Sequence, residues 1–484
     1  MKFVAKCPFL SMSAKSTPSV PRRPNIILCV MDDHQHDALG VAGHPVVQTP
    51  FLDQLAEQGC RFSQALMPGG TSPAVCMPSR AMIHTGRSLF HIEGCGGVIP
   101  PSHPTLGETL RNQGYRTFHT GKWHQDEASF NRSFDSGQAI FFGGMSDPWN
   151  VGLYDYDASG KYGNRLPRIP DPMHSNTLVP VRGDYIEAGR HCTDIFCDHA
   201  AQFIRDAETT EPFFLSVALM APHDPRTAPP AYHERYNAPE IALPEAFMTT
   251  CPVDTGALAI RDECLAAQPR DPTGIKQHLA DYYAMISHLD DGLRRIMDAV
   301  ENRGLTDNTW FVFTSDHGLA LGRHGLMGKQ NLFEPSIRVP LIIRAPGVKP
   351  GQIRTDPVWH YDLYATLLKA AGAPPPSEAD ARDLFTDRQG KDSLDNQPLY
   401  FAYCSSIRGV RKGPYKWIEY AHGDYRSTQL FDLASDPQEL NDLAQAPEQA
   451  ARASAMGRLL REMAHNVGDH QHPLGQAFWA LAGD

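Results

Sequence analysis

The sequence predicts an α/β protein: a large, mostly parallel sheet sandwiched by helices, with a small C-terminal antiparallel sheet plus a helix. Continuous apolar runs, typical of strands buried on both faces, alternate with stretches of helical periodicity. Charged residues follow several of these runs, as expected at the ligand-binding edge of a parallel sheet. After three prolines at 374–376, the pattern changes to short strands separated by turns.

Each element is predicted from an apolar run or from a helix-end signal. Buried strands are predicted at residues 25–31, 115–120, 212–220, 309–313 and 338–343. Helices are predicted at residues 51–59, 105–113, 185–207, 275–303 and 361–372. Short antiparallel strands are predicted at 399–404, 406–410, 415–419 and 429–433, followed by a helix at 447–466. The alternation of strands and helices favours a sheet covered on both faces.

Length and composition indicate a globular protein with a large core. The chain has 484 residues and a net charge of −11, so we expect no general affinity for nucleic acid or for an acidic membrane surface. No apolar run approaches the roughly 20 residues that cross a bilayer. The N-terminal segment shows no secretory apolar region, and the ten cysteines lack a framework spacing. We therefore expect a cytoplasmic protein with reduced thiols.

Three segments are predicted along the chain. Residues 1–24 are expected to be a disordered tail, residues 25–390 a catalytic domain and residues 391–484 a C-terminal α+β subdomain. The sequence does not indicate an oligomeric state.

Polar residues follow four of the predicted strands. They are Asp32 and Asp33, Lys122 and His124, His223, and Asp316 and His317. Any one of these groups could be an ordinary solvated turn. Because the carboxyl ends of parallel strands share one edge of a sheet, we expect the four groups to meet there.

Residues 76–87, Cys-Met-Pro-Ser-Arg-Ala-Met-Ile-His-Thr-Gly-Arg, are the most informative stretch. Pro78 suits the first turn of a helix, because its missing N–H would have no partner there. Cys76 would then lie beside free helix N–H groups, with Arg80 one turn further on. This arrangement favours an anion and indicates a cysteine directed at an anionic substrate.

Cys-x-Pro-Ser-Arg followed by Thr-Gly-Arg resembles the signature of the type I sulfatases, in the alkaline phosphatase superfamily. Gly-Lys-Trp-His at 121–124 and a proline-flanked histidine at 222–225 are also similar to motifs of this family. The resemblance implies a sulfuric ester hydrolase. It also implies that a formylglycine-generating enzyme converts Cys76 to Cα-formylglycine, whose hydrated aldehyde is the nucleophile. His84 departs from the aliphatic residue common in the family.

The same resemblance implies a role for each polar residue of these motifs. Asp316 would be the base for the attack, and Arg80 and Lys122 would hold the attacking oxygen. Lys122 and Lys329 would bind the sulfate. His223 would donate a proton to the leaving oxygen, and His124 would be the base that releases sulfate.

Three carboxylates and an imidazole suit one divalent cation, and these donors alone favour calcium, magnesium or manganese. The resemblance assigns the metal ligands as Asp32, Asp33, Asp316, His317 and residue 76. Family usage favours Ca²⁺, with Mn²⁺ or Mg²⁺ as the alternative. His317 stands where many members have Asn, which leaves the identity of the ion open.

Two other functions are compatible with these residues. A phosphonate monoester or phosphodiester hydrolase of the same superfamily would use the same metal and nucleophile, and His317 fits such relatives. A binding protein on an inactive scaffold would require Cys76 to stay unoxidised. The substrate class is open among aryl, choline-type and carbohydrate sulfates, with Trp149, Tyr154 and Arg226 as candidate substrate contacts.

A second metal site is a weaker hypothesis. His191, Cys192, Cys197 and His199 lie close together in sequence, but their spacing is not that of a paired zinc motif. Ordinary helix residues are the favoured interpretation.

Overall fold

The computed structural model describes residues 23–208, 211–386 and 397–483. The predicted tail therefore lies almost entirely outside the described residues, as does the predicted domain boundary at 390/391. Within the described parts, no helix is both long enough and apolar enough to span a bilayer.

The strands are numbered in chain order. They are β1 (Asn25–Met31), β2 (Cys60–Phe62), β3 (Ala65–Leu66), β4 (Gly69–Gly70), β5 (Arg116–Lys122), β6 (Ser136–Phe141), β7 (Arg165–Arg168), β8 (Val179–Arg182), β9 (Phe213–Ala218), β10 (Thr309–Ser315), β11 (Arg338–Val339), β12 (Leu341–Arg344), β13 (Gln352–Arg354), β14 (Val358–Trp359), β15 (Leu399–Tyr403), β16 (Ile407–Lys412), β17 (Tyr415–His422) and β18 (Tyr425–Asp432).

The α-helices are numbered in the same way. They are α1 (Pro50–Gln58), α2 (Cys76–Thr85), α3 (Leu106–Asn112), α4 (Glu127–Ser133), α5 (Cys192–Asp206), α6 (Pro230–His233), α7 (Pro272–Asn302), α8 (Glu334–Ile337), α9 (Asp362–Ala370), α10 (Ala450–Asn466) and α11 (Pro473–Ala482).

A large sheet with the strand order β13-β2-β12-β10-β1-β9-β5-β6 organises the fold. Every pairing from β10 to β6 is parallel, whereas β12 pairs antiparallel with both of its neighbours. Helices α1, α5 and α7 contribute to the core on one face, and α2, α3 and α9 to the core on the other. The predicted fold class is confirmed, and strand β1 has the predicted bounds.

Helix ends account for several boundaries. Thr105 caps α3 by accepting from Glu108 N, and the Glu108 carboxylate accepts from Thr105 N in return, which forms a capping box. Pro78 lies in the first turn of α2, as predicted, although the helix already begins at Cys76. The helix predicted at 185–207 is too long, because His191 caps α5 through Thr193 N and the chain before it is irregular.

The strand predicted at 338–343 is also wrong in detail. Pro340, which has no N–H for a ladder, separates β11 from β12. Strand β11 pairs with β3 in a small three-stranded sheet, and only β12 joins the large sheet.

The C-terminal sheet, β18-β17-β16-β15-β4, contains the four predicted antiparallel strands and one addition. The addition is β4, which immediately precedes the loop before α2 and pairs parallel with β15. Gly69 in β4 has φ = +106°, and a Cβ there would lie 1.9 Å from the Ala402 carbonyl oxygen. The C-terminal sheet thus anchors the chain directly before Cys76.

Helices α10 and α11 are fixed to this sheet around one buried carboxylate. Asp469 accepts hydrogen bonds from Arg408 at 2.7 and 2.9 Å, from Tyr400 Oη at 2.6 Å and from Trp479 Nε1 at 2.9 Å. Both Arg408 and Asp469 are fully buried. Helix α11 was not predicted, because its 10 residues are too few to show a clear helical periodicity.

Replacing this carboxylate is expected to destabilise the protein strongly. Asp469→Ala would leave the Arg408 guanidinium buried without a counter-charge, which typically costs about 3–5 kcal/mol. Chemical denaturation followed by circular dichroism measures this change in the free energy of unfolding. Glu462→Ala on the exposed face of α10 is the control, with an expected change within about 0.5 kcal/mol. Equal small effects of both variants would contradict this account.

Candidate active site

The carboxyl ends of four adjacent strands form the candidate active site. Strands β10, β1, β9 and β5 lie side by side in that order. The polar residues at this edge are Asp32 and Asp33 after β1, Asp316 and His317 after β10, His223 beyond β9, and Lys122 and His124 at and beyond the end of β5. These residues therefore lie close together, as predicted. Lys329 and the first residues of α2 also lie in this group.

Cys76 lies at the centre of this group, at the first residue of α2. Its Sγ is 3.2 Å from His124 Nδ1 and 3.7 Å from Lys122 Nζ. Burial opposes ionisation of the thiol, but the positive charge of Lys122 and the interaction with His124 outweigh it and hold the pKa of Cys76 well below its usual value. The site therefore favours negative charge at the position of this side chain.

Asp32 faces a concentration of cations. Lys122 Nζ donates to its Oδ2, and Arg80 Nη2 is 3.8 Å from the same oxygen. Burial would raise the pKa of Asp32, but Lys122 and the neighbouring cations lower it well below the usual value. The other oxygen, Oδ1, is buried and has no hydrogen-bond partner among the described residues.

Asp33 is held by a second lysine. Lys329 Nζ donates to Asp33 Oδ1 at 2.7 Å, and His317 Nδ1 lies 3.2 Å from the same oxygen. Burial opposes the charge of Lys329, but Asp33 and Asp262 raise its pKa well above the usual value. The pair is buried, so Lys329 retains a positive charge within the site.

Asp316 is oriented by Arg80 and by backbone. Arg80 Nε donates to Asp316 Oδ2 at 3.0 Å, and the amide N–H groups of His317 and Asp33 donate to Oδ1 at 2.9 and 3.4 Å. Burial and the nearby charge of Asp32 raise the pKa of Asp316 to about 6. A carboxyl group with such a pKa is suited to exchange protons near neutral pH.

The backbone is strained at two of these residues. Asp33 and His124 have φ values of +70° and +66°, in the left-handed region that non-glycine residues rarely occupy. Such conformations cluster at functional sites, where the surrounding structure enforces them. Tyr282 contributes to this by donating to the Asp33 carbonyl oxygen at 2.6 Å and accepting from Gln35 N.

His223 approaches the group from the segment beyond β9. Its Nδ1 donates to the Asp224 carbonyl oxygen at 2.6 Å, and its Nε2 lies 3.9 Å from Asp33 Oδ2. The Asp224 carboxylate is 3.5 Å from Nδ1 and also binds Arg261. The fixed Nδ1–H leaves Nε2 as the atom that can exchange a proton with a bound molecule.

Two groups of side chains could hold a metal ion. Ligand atoms of Asp32, Cys76 and His317 lie within 4.8 Å of one another, and so do those of Asp32, Asp33 and His223. His223, which was predicted as an acid and not as a metal ligand, therefore lies close enough to Asp32 and Asp33 to share an ion with them. Asp316 lies outside both groups, although its Oδ1 is 3.4 Å from His317 Nε2.

The donor set fits a cation. His317 Nδ1 donates to the Gly318 carbonyl oxygen at 2.9 Å, which leaves Nε2 as the ligand atom, and this Nε2 is buried without a hydrogen-bond partner among the described residues. Burial opposes protonation, but Asp316 and Asp33 still raise the pKa of His317 to about 9. The surrounding carboxylates thus demand positive charge here, and a divalent cation would supply it.

Two residues support the site in ways that the sequence did not predict: Ser79, which belongs to the signature, and His360, which no motif contains. Ser79 lies in α2, and its Oγ donates to the Asp316 carbonyl oxygen. His360 Nε2 is 2.8 Å from the same Ser79 Oγ. Burial and the charge of His317 lower the pKa of His360 to about 3, so its ring is neutral. No local motif marks His360, which follows the two-residue strand β14.

A cavity of about 220 Å³ opens onto Cys76, His124, His223 and Lys329. The other side chains that line it were not predicted, and they are Pro73, Ala74, Met145, Ile260, Arg261, Asp262 and Gln330. Most of them belong to irregular segments, which carry no periodic signal. The lining is mainly apolar with one exposed guanidinium.

The three predicted substrate contacts do not line this cavity. Tyr154 is 1% exposed and donates to the Asn164 carbonyl oxygen, so it belongs to the core. Trp149 donates to Thr227 Oγ1 at 2.7 Å, and Arg226 lies against His278. The prediction for Tyr154 was wrong, because an aromatic residue in an irregular segment can face either the core or the solvent.

The alternative zinc cluster is not formed. Cys192 and Cys197 are buried in the apolar core of α5, whereas His191 contacts the Thr227 carbonyl oxygen and His199 contacts Gln138. None of the described cysteines forms a disulfide, in agreement with the expected reduced thiols.

Comparison with known proteins identifies the family. The sulfatase profile matches residues 24–373, and the profile of the C-terminal part of N-sulphoglucosamine sulphohydrolase matches residues 322–466. The chain therefore belongs to the sulfatase family of the alkaline phosphatase superfamily, a class of sulfuric ester hydrolases.

Particular relatives agree with this assignment. An arylsulfatase of Clostridium perfringens is 27% identical over 469 residues, which cover 90% of this chain and 94% of that protein. An N-acetylglucosamine-6-O-sulfatase of Bacteroides thetaiotaomicron is 25% identical, and the match covers 95% of this chain and 90% of that protein. The solved structure of the phosphonate monoester hydrolase of Agrobacterium radiobacter has a TM-score of 0.71 at 21% identity. The match covers 92% of this chain and 96% of that chain, so the two proteins share the fold.

Proposed function

We propose that this protein hydrolyses a sulfate monoester by means of a formylglycine at position 76 and one divalent cation. The observation that carries the proposal is the position of Cys76, whose Sγ lies 3.2 Å from His124 and 3.7 Å from Lys122, within 4.8 Å of ligand atoms of Asp32 and His317. A reactive residue, its bases and a cation site thus meet at one point. A formylglycine-generating enzyme is the partner required for maturation.

The cation would be held by Asp32, Asp33, Asp316, His317 and the modified residue 76. When bound, such an ion neutralises sulfate oxygens and lowers the pKa of a hydroxyl group. Ca²⁺ is the proposed ion, because oxygen donors dominate the set and family usage favours it. Mn²⁺ or Mg²⁺ is the alternative, and the single imidazole favours Mn²⁺.

Formylglycine supplies two hydroxyl groups on one carbon as its hydrate. The first can take up the sulfuryl group, and loss of a proton from the second breaks the carbon–oxygen bond, so that sulfate departs and the aldehyde returns. A plain alcohol or thiol would offer no such exit.

The side chains around residue 76 divide the proton transfers and the charge. Asp316, with its pKa of about 6, accepts the proton of the attacking hydroxyl group, and Arg80 orients this carboxylate. His124 lies next to residue 76 and accepts the proton of the second hydroxyl group. His223 donates a proton from Nε2 to the leaving oxygen, since its Nδ1–H is held by the Asp224 carbonyl oxygen.

Lys122 and Lys329 stabilise the charge of the sulfuryl group from two sides. Both ammonium groups are buried and fixed by carboxylates, so they need little reorganisation as negative charge develops. Lys329 also lines the cavity, which supports the proposed contact with the substrate.

A substrate panel tests the proposed reaction. Sulfate release is measured with an aryl sulfate, choline sulfate and N-acetylglucosamine-6-sulfate. Release of the alcohol is measured with a phenyl phosphonate monoester and a phosphodiester. A sulfate ester is expected to give the highest kcat/KM. The relatives that act on aryl and aminosugar sulfates support these choices.

A phosphonate monoester or phosphodiester hydrolase is the second candidate. His317 favours it, since this residue fits such relatives, and the shared fold is compatible with it. Higher kcat/KM for the phosphorus esters than for every sulfate ester would replace the first proposal with this one.

Metal removal is expected to abolish turnover reversibly. Asp33→Asn removes one charged ligand at constant size and should weaken the apparent metal affinity by about 10–100-fold or more. Activity is titrated with Ca²⁺, Mn²⁺ and Mg²⁺ after dialysis against a chelator. Asp290→Asn, which alters a buried carboxylate outside the site, is the control and should titrate as the wild type. Full activity after complete metal removal would contradict the proposed cation.

A further inference from the structure

A second polar cavity lies outside the candidate active site. It has a volume of about 90 Å³ and is lined by His36, Asp37, Arg61, Ser63 and Arg338, among others. Such a volume equals about three water molecules, which suits a tetrahedral oxyanion and not a sugar ring. The cavity lies between β2, β11 and the segment that follows β1.

The carboxylates near this cavity already have cationic partners. Asp37 Oδ2 accepts from Arg323 Nη2 at 2.9 Å. Behind Arg338, Glu334 and Glu439 share Lys416, whose Nζ lies 3.1 and 2.7 Å from their oxygens. Arg411 Nη1 also lies 3.8 Å from Glu334 Oε2, so Glu334 and Glu439 together already face two cations.

Arg61 and Arg338 are the surplus cations of this cavity. Within the described ranges, neither forms an ion pair, and Arg61 Nε is buried without a hydrogen-bond partner. Arg338 Nε donates to the Ser63 carbonyl oxygen at 2.7 Å. Burial lowers the pKa of both guanidinium groups, and the charges of Glu334 and Asp37 offset this effect only in part for Arg338. Two guanidinium groups without an ion pair on one small cavity favour the binding of an anion there.

Two further atoms define the kind of anion. His36 Nδ1 is buried without a partner among the described residues, and the ring is neutral because burial and the charge of Arg338 lower its pKa to about 3. A neutral ring can donate one N–H to an anion. Asp37 Oδ1 is a buried acceptor that also has no partner there. An ionised carboxylate repels an anion unless the anion donates a hydrogen bond to it.

We propose that this cavity binds inorganic phosphate in preference to sulfate. Arg61 and Arg338 neutralise the anion, and Asp37 Oδ1 accepts the hydroxyl hydrogen that phosphate carries near neutral pH. Sulfate is fully ionised under these conditions and has no hydrogen to donate, so it leaves Asp37 unpaired. The site is distinct from the one around Cys76 and does not depend on the proposed hydrolysis.

Equilibrium dialysis with labelled phosphate at constant ionic strength tests the proposal. The wild type is expected to bind one phosphate that excess sulfate does not displace. Arg61→Gln should weaken this binding about tenfold or more, because it removes a charge-assisted contact. Arg116→Gln, another half-buried strand arginine, is the matched control and should bind as the wild type. Competitive inhibition of turnover by sulfate should be the same in all three proteins, since it reports the active site.

Asp37→Asn examines the preference for phosphate, and a neutral amide should bring the affinities for the two anions close together. Unchanged phosphate binding by Arg61→Gln, or displacement by sulfate at equal concentration, would overturn the proposal. If either variant does not fold, a crystal of the wild type soaked in arsenate decides the question by its anomalous signal. A peak between Arg61 and Arg338 supports the site, and solvent density alone refutes it.

Discussion

Cys76→Ala is expected to reduce turnover to the background rate while the fold remains intact. The substitution removes the atom on which the proposed aldehyde forms, so no other change at the site can restore the nucleophile. Removal of a nucleophile that acts in concert with its bases costs on the order of 10⁶ in kcat in a well-studied hydrolase. The measurement is kcat on the best sulfate ester of the panel, together with the thermal unfolding midpoint.

The fold should tolerate this change, because the Cys76 side chain contacts mainly polar neighbours and fills a site, not the apolar core. Cys60→Ala is the matched control, because Cys60 is a buried cysteine of β2, and β12 lies between β2 and the strands that carry the reactive residues. It should retain full kcat. Substantial turnover by Cys76→Ala with purified enzyme would exclude nucleophilic catalysis by residue 76.

His223→Ala is expected to slow the hydrolysis of unactivated esters much more than that of nitrophenyl sulfate. A sugar or alkyl alkoxide leaves poorly and needs a proton, whereas nitrophenolate leaves without one. General acid catalysis contributes about 10²–10⁴-fold, so kcat should fall by this factor for the sugar ester. The fall for nitrophenyl sulfate should be about tenfold or less.

The leaving-group dependence separates proton donation from a structural role. His199→Ala, on the outer part of α5, controls for the loss of a half-buried imidazole and should leave both rates unchanged. Equal losses on both esters in His223→Ala would remove the acid role. Such a result would instead agree with the position of His223 beside Asp32 and Asp33 and suggest a role in binding the cation.

Much of the fold was predictable because its strands are buried on both faces. Asn25–Met31 is apolar after its first residue and is flanked by β9 and β10, so its bounds follow directly from sequence. The site was predictable for a related reason: residues that end parallel strands must share one edge. The chemistry at Cys76 was predictable only from the resemblance, since a cysteine at a helix start is usually structural.

Other features depend on tertiary contacts that leave no local pattern. Strand β4 is two glycines long and exists because β15, more than 300 residues later, pairs with it. His360 and Arg261 reach the site from irregular or very short segments. Trp149 and Tyr154 were predicted at the pocket mouth, but nothing in their local sequence distinguishes a core-facing aromatic residue from one that faces a ligand.

The mass of the tryptic peptide Phe62–Arg80 tests the central claim most directly. Protein isolated in active form from cells with a formylglycine-generating enzyme should yield this peptide about 18 Da lighter than the sequence requires, because a thiol has become an aldehyde. The lighter fraction should rise in proportion to kcat across preparations. A fully active preparation with an unmodified Cys76 would contradict the account.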